Sequence, residues 1–353
     1  MVAPRRRQCG VADYTDYLLA ELGELRDLLD VRRVVDSTNF TGAVADRGFV
    51  DIVHVQHQYF LFGGVAPWKN RFRDFADRLR VPAVLTAHEF VEPRGNPAAA
   101  AAIRATNRRN FLHKAVSRII VHTEADRARM DASGIPSAHI SVVRHGVPPA
   151  PSLPSRDEAR RSLGVEDHFV VTVFGFLSRR KGHALAVEAM RILPPNVCLL
   201  LAGGRHPDDQ TGYVDGIEQL IRDGNLENRV RITGYLSPEQ VAEVMSATDL
   251  ILAPFTESSG SGSLALAFAC GKPILASSIS PHAEIVAESE SALKTFRALH
   301  PGAIAMEVSS LRENPESLAL LAAGARDYAA AHSYRRMAEE TVSIYRNVLG
   351  RPA

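Results

Sequence analysis

"FTESSGSGSLALAFACGKP", Phe255 to Pro273, sets a carboxylate and a run of serines and glycines directly before an apolar segment of helical character. Small residues feeding a helix N-terminus let the main chain approach an anion and offer it unpaired N–H groups. The segment reads as a phosphate cradle at the start of a helix. Gly260-x-Gly262-x-x-Ala265 has the look of a dinucleotide fingerprint, but that motif follows its strand directly, opens the first βαβ unit and is answered by an acid about 20 residues on. Here Thr256 to Ser259 intervene, the unit falls late in the chain, and the next strand ends in Ala276-Ser277-Ser278 without an acid. Nicotinamide and flavin binding are disfavoured.

Outward from this loop, short apolar runs alternate with helical patterns, the mark of parallel sheets covered by helices on both faces. "HFVVTVFGFLSRRKG" (His168 to Gly182), "NVCLLLAGG", "RVRITGYLSPEQ", "DLILAPF" and "KPILASS" form one series. An earlier series runs through "VDIVHVQH", "PAVLTAHEF", "SRIIVHT" and "ISVVRHGV", with polar strand ends at His57, His88 and His145, where open α/β sheets bind ligands. Between the series, Pro148 to Pro154 is stiff and hostile to helix, and reads as a linker and hinge. Pro315 to Leu349 carries apolar residues at helical spacing and predicts two outer helices. At the N-terminus, "CGVADYTDYLLAELGEL" predicts a glycine turn and an amphipathic helix. "MVAPRRRQ" before it, with a proline and three arginines, predicts no strand, so the first strand of the sheet is expected to be missing, or to lie upstream of a late start.

The 353 residues fit two domains of roughly 150 to 180 residues. A 46% hydrophobic content suffices for two cores, and no apolar run approaches the ~18 residues of a membrane span. No secretory signal is visible, and Cys9, Cys198 and Cys270 are too scattered for a disulfide framework or zinc site, which together point to the cytoplasm. A net charge of +1 argues against nucleic acid as a partner.

Taken in order, "CGVADY", "LTAHE", "VVRHGV", "GFLSRRKG", "RVRITGYLSPEQ" and "APFTESSGSGSLALAFACGKPILAS" resemble the retaining glycosyltransferases of family 4 over about residues 9 to 347. The resemblance implies a GT-B fold of class α/β: two Rossmann-like, doubly wound domains facing each other across a cleft. Residues 1–150 would bind the acceptor, 151–332 the nucleotide diphosphate sugar donor, and 333–353 would cross back to the first domain. It implies no cofactor and no metal, because basic side chains and helix N-termini can neutralise the leaving diphosphate.

Residue by residue, the resemblance makes Lys181 the diphosphate lysine, with Arg179 or Arg180 standing in for an arginine that the family places where this chain has Phe176. Gly10, Gly260, Ser261, Gly262 and Ser263 would let backbone approach the phosphates. Gly204, Tyr235 and Leu236 would surround the rest of the donor. Glu257 and His88 would flank the transferred sugar, with a helix-capping or surface role for Glu257 and a packing role for His88 as rivals. The family's second glutamate, which holds the ribose, falls on Ala265 or Leu266, so ribose recognition departs from the pattern. The expected reaction is configuration-retaining transfer to an unidentified hydroxyl acceptor, the leaving phosphate acting as base. The alternative is a catalytically weak sugar-nucleotide or glycan-binding subunit of a larger assembly. Loops such as "YFLFGG" (Tyr59 to Gly64) would read the acceptor. A helix over Arg104 to Arg118, bearing Arg108, Arg109, Lys114 and Arg118, is expected to be solvated, with peripheral contact to a membrane the rival reading. Oligomeric state is not legible.

Overall fold

The computed structural model describes residues 1–4, 10–25, 50–205, 211–258 and 260–350. The chain divides into two compact units, Met1–Gly146 with His332–Ala353, and Val147–Ala331.

Among the described residues of the first unit, four parallel strands lie in the order β1 (Val53–His57), β2 (Ala83–Ala87), β3 (Val116–Val121), β4 (Ile140–Val142). All five residues of β1 and of β2 are buried, as strands covered on both faces require. Its helices are α1 (Gly10–Glu24), α2 (Phe72–Ala76), α3 (Pro97–Phe111) and α4 (Glu124–Ala132), together with the last helix of the chain. The Asn96 side chain caps α3, accepting from the Ala99 N–H with Pro97 in the first turn, and Thr123 caps α4 in the same way. One sheet face packs on Phe62, Phe72, Phe75 and Phe111; the other carries Val84, Ile120 and Val143 against α1.

Two expectations are corrected here. Val2 is not outside the sheet: its N–H donates to His54 O (2.7 Å) and its carbonyl accepts from Gln56 N–H (2.8 Å), a parallel bridge to Val55 on the outer edge of β1. This pairing uses one residue's donor and acceptor, so the missing N–H of Pro4 does not interfere. Cys9 and the three arginines lie outside the described residues. Nor does a helix run from Arg104 to Arg118: α3 ends at Phe111, Lys114 follows it, and Arg118 lies on β3, where its guanidinium donates to Ala138 O.

The second unit holds six parallel strands in the order β10-β9-β8-β5-β6-β7: β5 (Phe169–Phe174), β6 (Val197–Ala202), β7 (Val230–Ile232), β8 (Leu250–Ala253), β9 (Ile274–Ser277) and β10 (Lys294–Phe296). Its helices are α5 (Arg156–Leu163), α6 (His183–Met190), α7 (Tyr213–Asp223), α8 (Pro238–Ala247), α9 (Gly262–Ala269), α10 (Ser280–Glu288), α11 (Pro301–Arg312) and α12 (Pro315–Ala331). The edge strand β10 and helix α11 have no counterpart in the sequence reading, which stops its strands at Ser278 and begins its last helices at Pro315. Between α5 and the sheet, the buried Arg160 guanidinium donates to Asp249 Oδ2 (3.1 Å), Ala247 O (3.2 Å), Glu166 O (3.2 Å) and His168 O. Asp249 also accepts from the Val170 N–H at 2.8 Å, which joins the head of β5 to that of β8.

Beneath α1 and the last helix, α13 (Tyr334–Val348), the first unit is polar inside. His54 Nδ1 and the Tyr345 hydroxyl are 2.5 Å apart, His54 Nε2 and the Thr86 hydroxyl 2.7 Å, and His88 Nε2 and Gln56 Oε1 2.8 Å. The Tyr14 ring lies 4.7 Å from that of His88 and 5.3 Å from those of His122 and His145. Burial holds His54 and His122 down to about 3 and His145 to about 4; the Met1 amine and then His122 add to the lowering at His54, and His145 to that at His122. Burial pushes Met1's amine down to about 6, and the Met1 sulfur accepts from Gln56 Nε2 at 3.6 Å.

Two outcomes follow. Asp249→Ala leaves the Arg160 charge buried without its carboxylate, and urea titration should show a loss of about 3–5 kcal/mol; a loss below about 1 kcal/mol would contradict the buried ion pair. The histidines are neutral when folded and have lower pKa values there than the 6.5 of the free side chain. Their stabilising effect is complete above 6.5 and is lost as pH falls through 6.5 toward 3. Hydrogen exchange should therefore show α1 and α13 losing protection in that window, and unchanged protection at pH 4 would refute the charge-free layer.

Candidate functional site

At the C-terminal end of β5, Gly175 adopts φ +109°, and a Cβ there would sit 2.3 Å from Lys181 Nζ. The glycine makes room for the lysine. A single 3₁₀ turn, Arg179–Lys181, ends in Gly182 at φ +68°, whose missing Cβ would lie 2.0 Å from Pro254 O. The turn is thereby pressed onto the end of β8, and Thr256 N–H donates to Arg180 O at 2.8 Å to close the seam. Lys181 is consequently turned inward. Its ammonium donates to Phe174 O (3.0 Å) and Ser263 Oγ (2.8 Å) and lies 5.1 Å from the Phe255 ring centroid. Burial, and then the nearby Arg180 charge, lower its pKa to about 8.

The opening loop meets the lysine from the other side. Ser261 caps α9, its hydroxyl accepting from Leu264 N–H at 3.4 Å, and lies 2.8 Å from the Ser263 hydroxyl. A continuous line of polar contacts thus runs Ser261–Ser263–Lys181 at the helix N-terminus. Gly260 needs its freedom, at φ +126°. Gly262 does not: its φ is unexceptional, and a Cβ would meet nothing within 4 Å. Ser277 Oγ fastens the base of the loop by donating to Phe255 O at 2.5 Å. Glu257 is exposed and makes no hydrogen bond or ion pair among the described residues, whereas Ser258 Oγ accepts from Gly260 N–H at 3.5 Å within the loop.

Three further loops converge beside the lysine. A Cβ on Gly203 would lie 2.2 Å from Gly175 O, and one on Gly204 would lie 2.9 Å from Tyr235 N, so glycines bring the ends of β5, β6 and β7 into contact. Tyr235 is 58% exposed with its ring 6.2 Å from that of Phe176, while Leu236 packs partly into the core below. Arg179 lies 5.4 Å over the Tyr213 ring. Phe176 occupies the place of an expected arginine, and Ala265 and Leu266 on α9 carry no acid.

The first unit holds the two other candidates. His88 follows β2 and is half-buried in the polar layer, held well below the ordinary histidine range by burial and then by the charges of His122 and His145. Gly10 starts α1 with open space where a Cβ would stand, so packing within the described residues does not demand glycine there. His54, Gln56 and His122 escaped the sequence reading as site residues. His122 closes "SRIIVHT" as His88 closes "LTA", and that repeated histidine at strand ends was the available signal. Its Nδ1 donates to Val143 O at 2.9 Å, and its buried Nε2 has no hydrogen-bond partner among the described residues. No group of three or more His, Cys, Asp or Glu side chains among the described residues could hold a metal ion. An open cavity of about 420 Å³ on the first unit is lined by Glu92, Arg104 and Arg129 and by none of these candidates.

Chemically, the second unit presents a buried cation, two hydroxyls and a helix N-terminus at the mouth of a parallel sheet, a set suited to an anion.

Residues 155–328 match the family described as Glycosyl transferases group 1, and residues 28–151 match Glycosyltransferase Family 4. The chain is 31% identical over 247 residues to a D-inositol 3-phosphate glycosyltransferase of Mycolicibacterium smegmatis, covering 67% of this chain and 54% of that protein. It is 28% identical over 319 residues to the protein of that name from Mycobacterium marinum, covering 87% of this chain and 66% of that one. It spans about half to two thirds of the length of these curated relatives. The crystal structure of Anabaena Alr3699/HepE in complex with UDP and glucose has a TM-score of 0.77 at 19% identity and covers 98% of both chains. WaaG, a glycosyltransferase involved in lipopolysaccharide biosynthesis, has a TM-score of 0.70 at 16% identity, covering 98% of this chain and 99% of that one. The fold is that of the GT-B glycosyltransferases, and with two family matches that together span most of its length the chain belongs to the group 1, family 4 glycosyltransferases.

Proposed function

We propose that this protein transfers a sugar from a nucleotide diphosphate sugar to an acceptor hydroxyl, with retention of configuration and without a metal. The observation that carries the reading is the Lys181 ammonium, buried on Phe174 O and Ser263 Oγ at the N-terminus of α9 with no acidic partner among the described residues. Burying an unpaired cation is costly, and an anionic ligand removes that cost. That Alr3699/HepE was crystallised with UDP and with UDP-glucose supports a nucleoside diphosphate as the anion.

In this reading Lys181 and the Gly260–Ser263 segment hold the diphosphate, Arg179 and Arg180 add charge at its edge, and Gly204, Tyr235 and Leu236 border the nucleoside. Glu257 acts on the transferred sugar. The first unit takes the acceptor, with His88 as its candidate catalytic group and Gly10 at its first loop. The acceptor oxygen forms its bond to the anomeric carbon on the face from which the diphosphate departs. The leaving phosphate takes the acceptor proton. Electrostatic stabilisation of that departing charge supplies the main rate enhancement, so no covalent nucleophile is required.

A second reading, a weakly active subunit binding sugar nucleotide or glycan for a partner enzyme, is favoured by Phe176 in place of the arginine and by the apolar Ala265 and Leu266. Release of nucleoside diphosphate from a panel of sugar nucleotides, with and without hydroxyl acceptors, separates the two. Turnover with any donor supports the transferase, and binding without turnover across the panel supports the subunit.

Lys181→Ala should weaken UDP binding by about 10- to 150-fold, the equivalent of a charge-assisted contact of roughly 1.5–3 kcal/mol. Calorimetry on the folded variant checks this, and wild-type affinity would remove Lys181 from the site. An anion favours the charged lysine, so affinity should hold below pH 8 and decline above it as the free protein loses this proton. Glu257→Gln should depress turnover far more than it weakens UDP binding, since UDP has no sugar for the carboxylate to meet. Normal turnover in that variant together with loss in Ser258→Ala would reassign the role to Ser258.

A further inference from the structure

Between β1 and α2 the chain makes a loop, Tyr59 to Arg71, that is fixed in shape and apolar at its tip. Tyr59 to Phe62 form one 3₁₀ turn, closed by Gly63 N–H to Phe60 O and Gly64 N–H to Tyr59 O. Both glycines have positive φ, and a Cβ on Gly63 would lie 2.3 Å from Lys69 O, so the loop folds tightly back on itself. Arg71 N–H returns to Phe62 O at 2.8 Å, and the Asn70 side chain ties Gly64 O (2.8 Å) to the start of α2 through the Phe72 N–H (3.1 Å). The product of this bracing is Trp68, 79% exposed, with Phe60 36% exposed on the same loop and the exposed Lys69 and Arg71 beside them.

Helix α3 supports the loop. Tyr59 donates to Asn107 Oδ1 (2.6 Å) and Thr106 donates to Val65 O (2.7 Å), so the buried face of α3 is turned toward the loop. Its exposed arc carries Arg104, Arg108 and Arg109. From Pro93 to Thr123 the sequence has six basic residues and no acid, in a chain whose net charge is only +1. Glu92 and Glu124 bound this stretch, Glu92 paired with Arg94 (2.8 Å) and Arg129 (3.6 Å) and Glu124 with Arg127 (2.5 Å), while Asp74 lies on α2 and Asp77, just after that helix, is paired with Arg73 (3.4 Å) and His113 (3.1 Å).

We infer that the Tyr59–Arg71 loop and the exposed arc of α3 form one docking surface for an anionic lipid bilayer, Trp68 entering the headgroup boundary and Lys69, Arg71, Arg108 and Arg109 meeting the headgroups, while Arg104 turns to the cavity it shares with Glu92 and Arg129. An indole with an apolar body and a polar N–H partitions to that boundary, and each nearby Lys or Arg adds attraction to an anionic surface. A soluble polyanion would account for the arginines but leaves a rigidly presented, solvent-facing tryptophan without a role. No helix among the described residues is long and apolar enough to cross a membrane, so the contact lies at the surface.

The test is direct because Trp68 is the only tryptophan in the chain. The full chain is titrated with vesicles of phosphatidylcholine alone, with vesicles containing about one third phosphatidylglycerol, and with soluble polyphosphate, following tryptophan emission and co-sedimentation. The anionic vesicles should shift the emission to shorter wavelength and carry the protein down, and salt at about 1 M should release it as the screening length falls to about 3 Å. Arg108→Ala and Arg109→Ala, which keep the reporter, should each weaken partitioning about five-fold, the equivalent of about 1 kcal/mol per charge. Trp68→Ala should reduce co-sedimentation with an unchanged circular dichroism spectrum. Equal binding to neutral vesicles, an emission shift with polyphosphate but none with vesicles, or co-sedimentation without a shift would each overturn the proposal.

Discussion

A lysine ammonium enclosed without a carboxylate partner among the described residues is the constraint round which the mouth of the second sheet is arranged. Lys181 is held by a carbonyl, a hydroxyl and an aromatic face, each able to orient the charge and none able to cancel it. The neighbouring geometry follows from keeping it there. Gly175 must lack a side chain to admit it, Gly182 must take a left-handed turn against Pro254, and Ser263 must stand in the first turn of α9. The lowered pKa measures the same thing, a cation kept in place at an energetic disadvantage that an anion would remove.

The first unit handles burial of polar groups in the opposite way. Its histidines are kept neutral, with His54 bonded to Thr86 and Tyr345, His88 to Gln56 and His122 Nδ1 to Val143 O, while His122 Nε2 is buried without a hydrogen-bond partner among the described residues. The Tyr345 contact matters for architecture: it belongs to α13, which packs beside α1, and its hydroxyl reaches His54, the second residue of β1. Tyr334 adds a ring contact at 5.8 Å from Tyr14. A helix docked through such groups is specified in register more narrowly than one docked through aliphatic side chains alone.

How much of this could be read from the sequence differs by element. The long buried strands were legible because runs such as "VCLLLA" are apolar throughout and bounded by turns, and the start of α9 was legible because a glycine and serines precede an apolar helical run. Short edge elements were not. Val2 joins the sheet through one residue's backbone, β10 has only three residues, and neither leaves a periodic trace. The end of α3 was misplaced for a related reason: Leu112 to Ala115 keep helical composition, and only the capping geometry at Leu112 and the pairing of Val116 to β2 stop the helix. In the candidate site the lysine and its serines were legible, whereas the cost of burying the lysine was not, since it depends on Phe174 O and Phe255 arriving from elsewhere in the chain.

Phe176, where the family carries an arginine, sharpens the choice between the two arginines that could replace it. Arg179 has its guanidinium over the Tyr213 ring, a contact that uses its planar face and draws it toward α7. Arg180 is exposed, and its charge already acts on Lys181, where it ranks next to burial among the causes of the lowered pKa. Its backbone is also fixed, because its carbonyl receives the Thr256 N–H from the loop that leads to Glu257. A cation whose field reaches the lysine, on a backbone pinned to the candidate catalytic loop, can replace the missing charge without a new contact having to form. Under the proposed function Arg179 would first have to leave its ring, which favours Arg180 as the substitute.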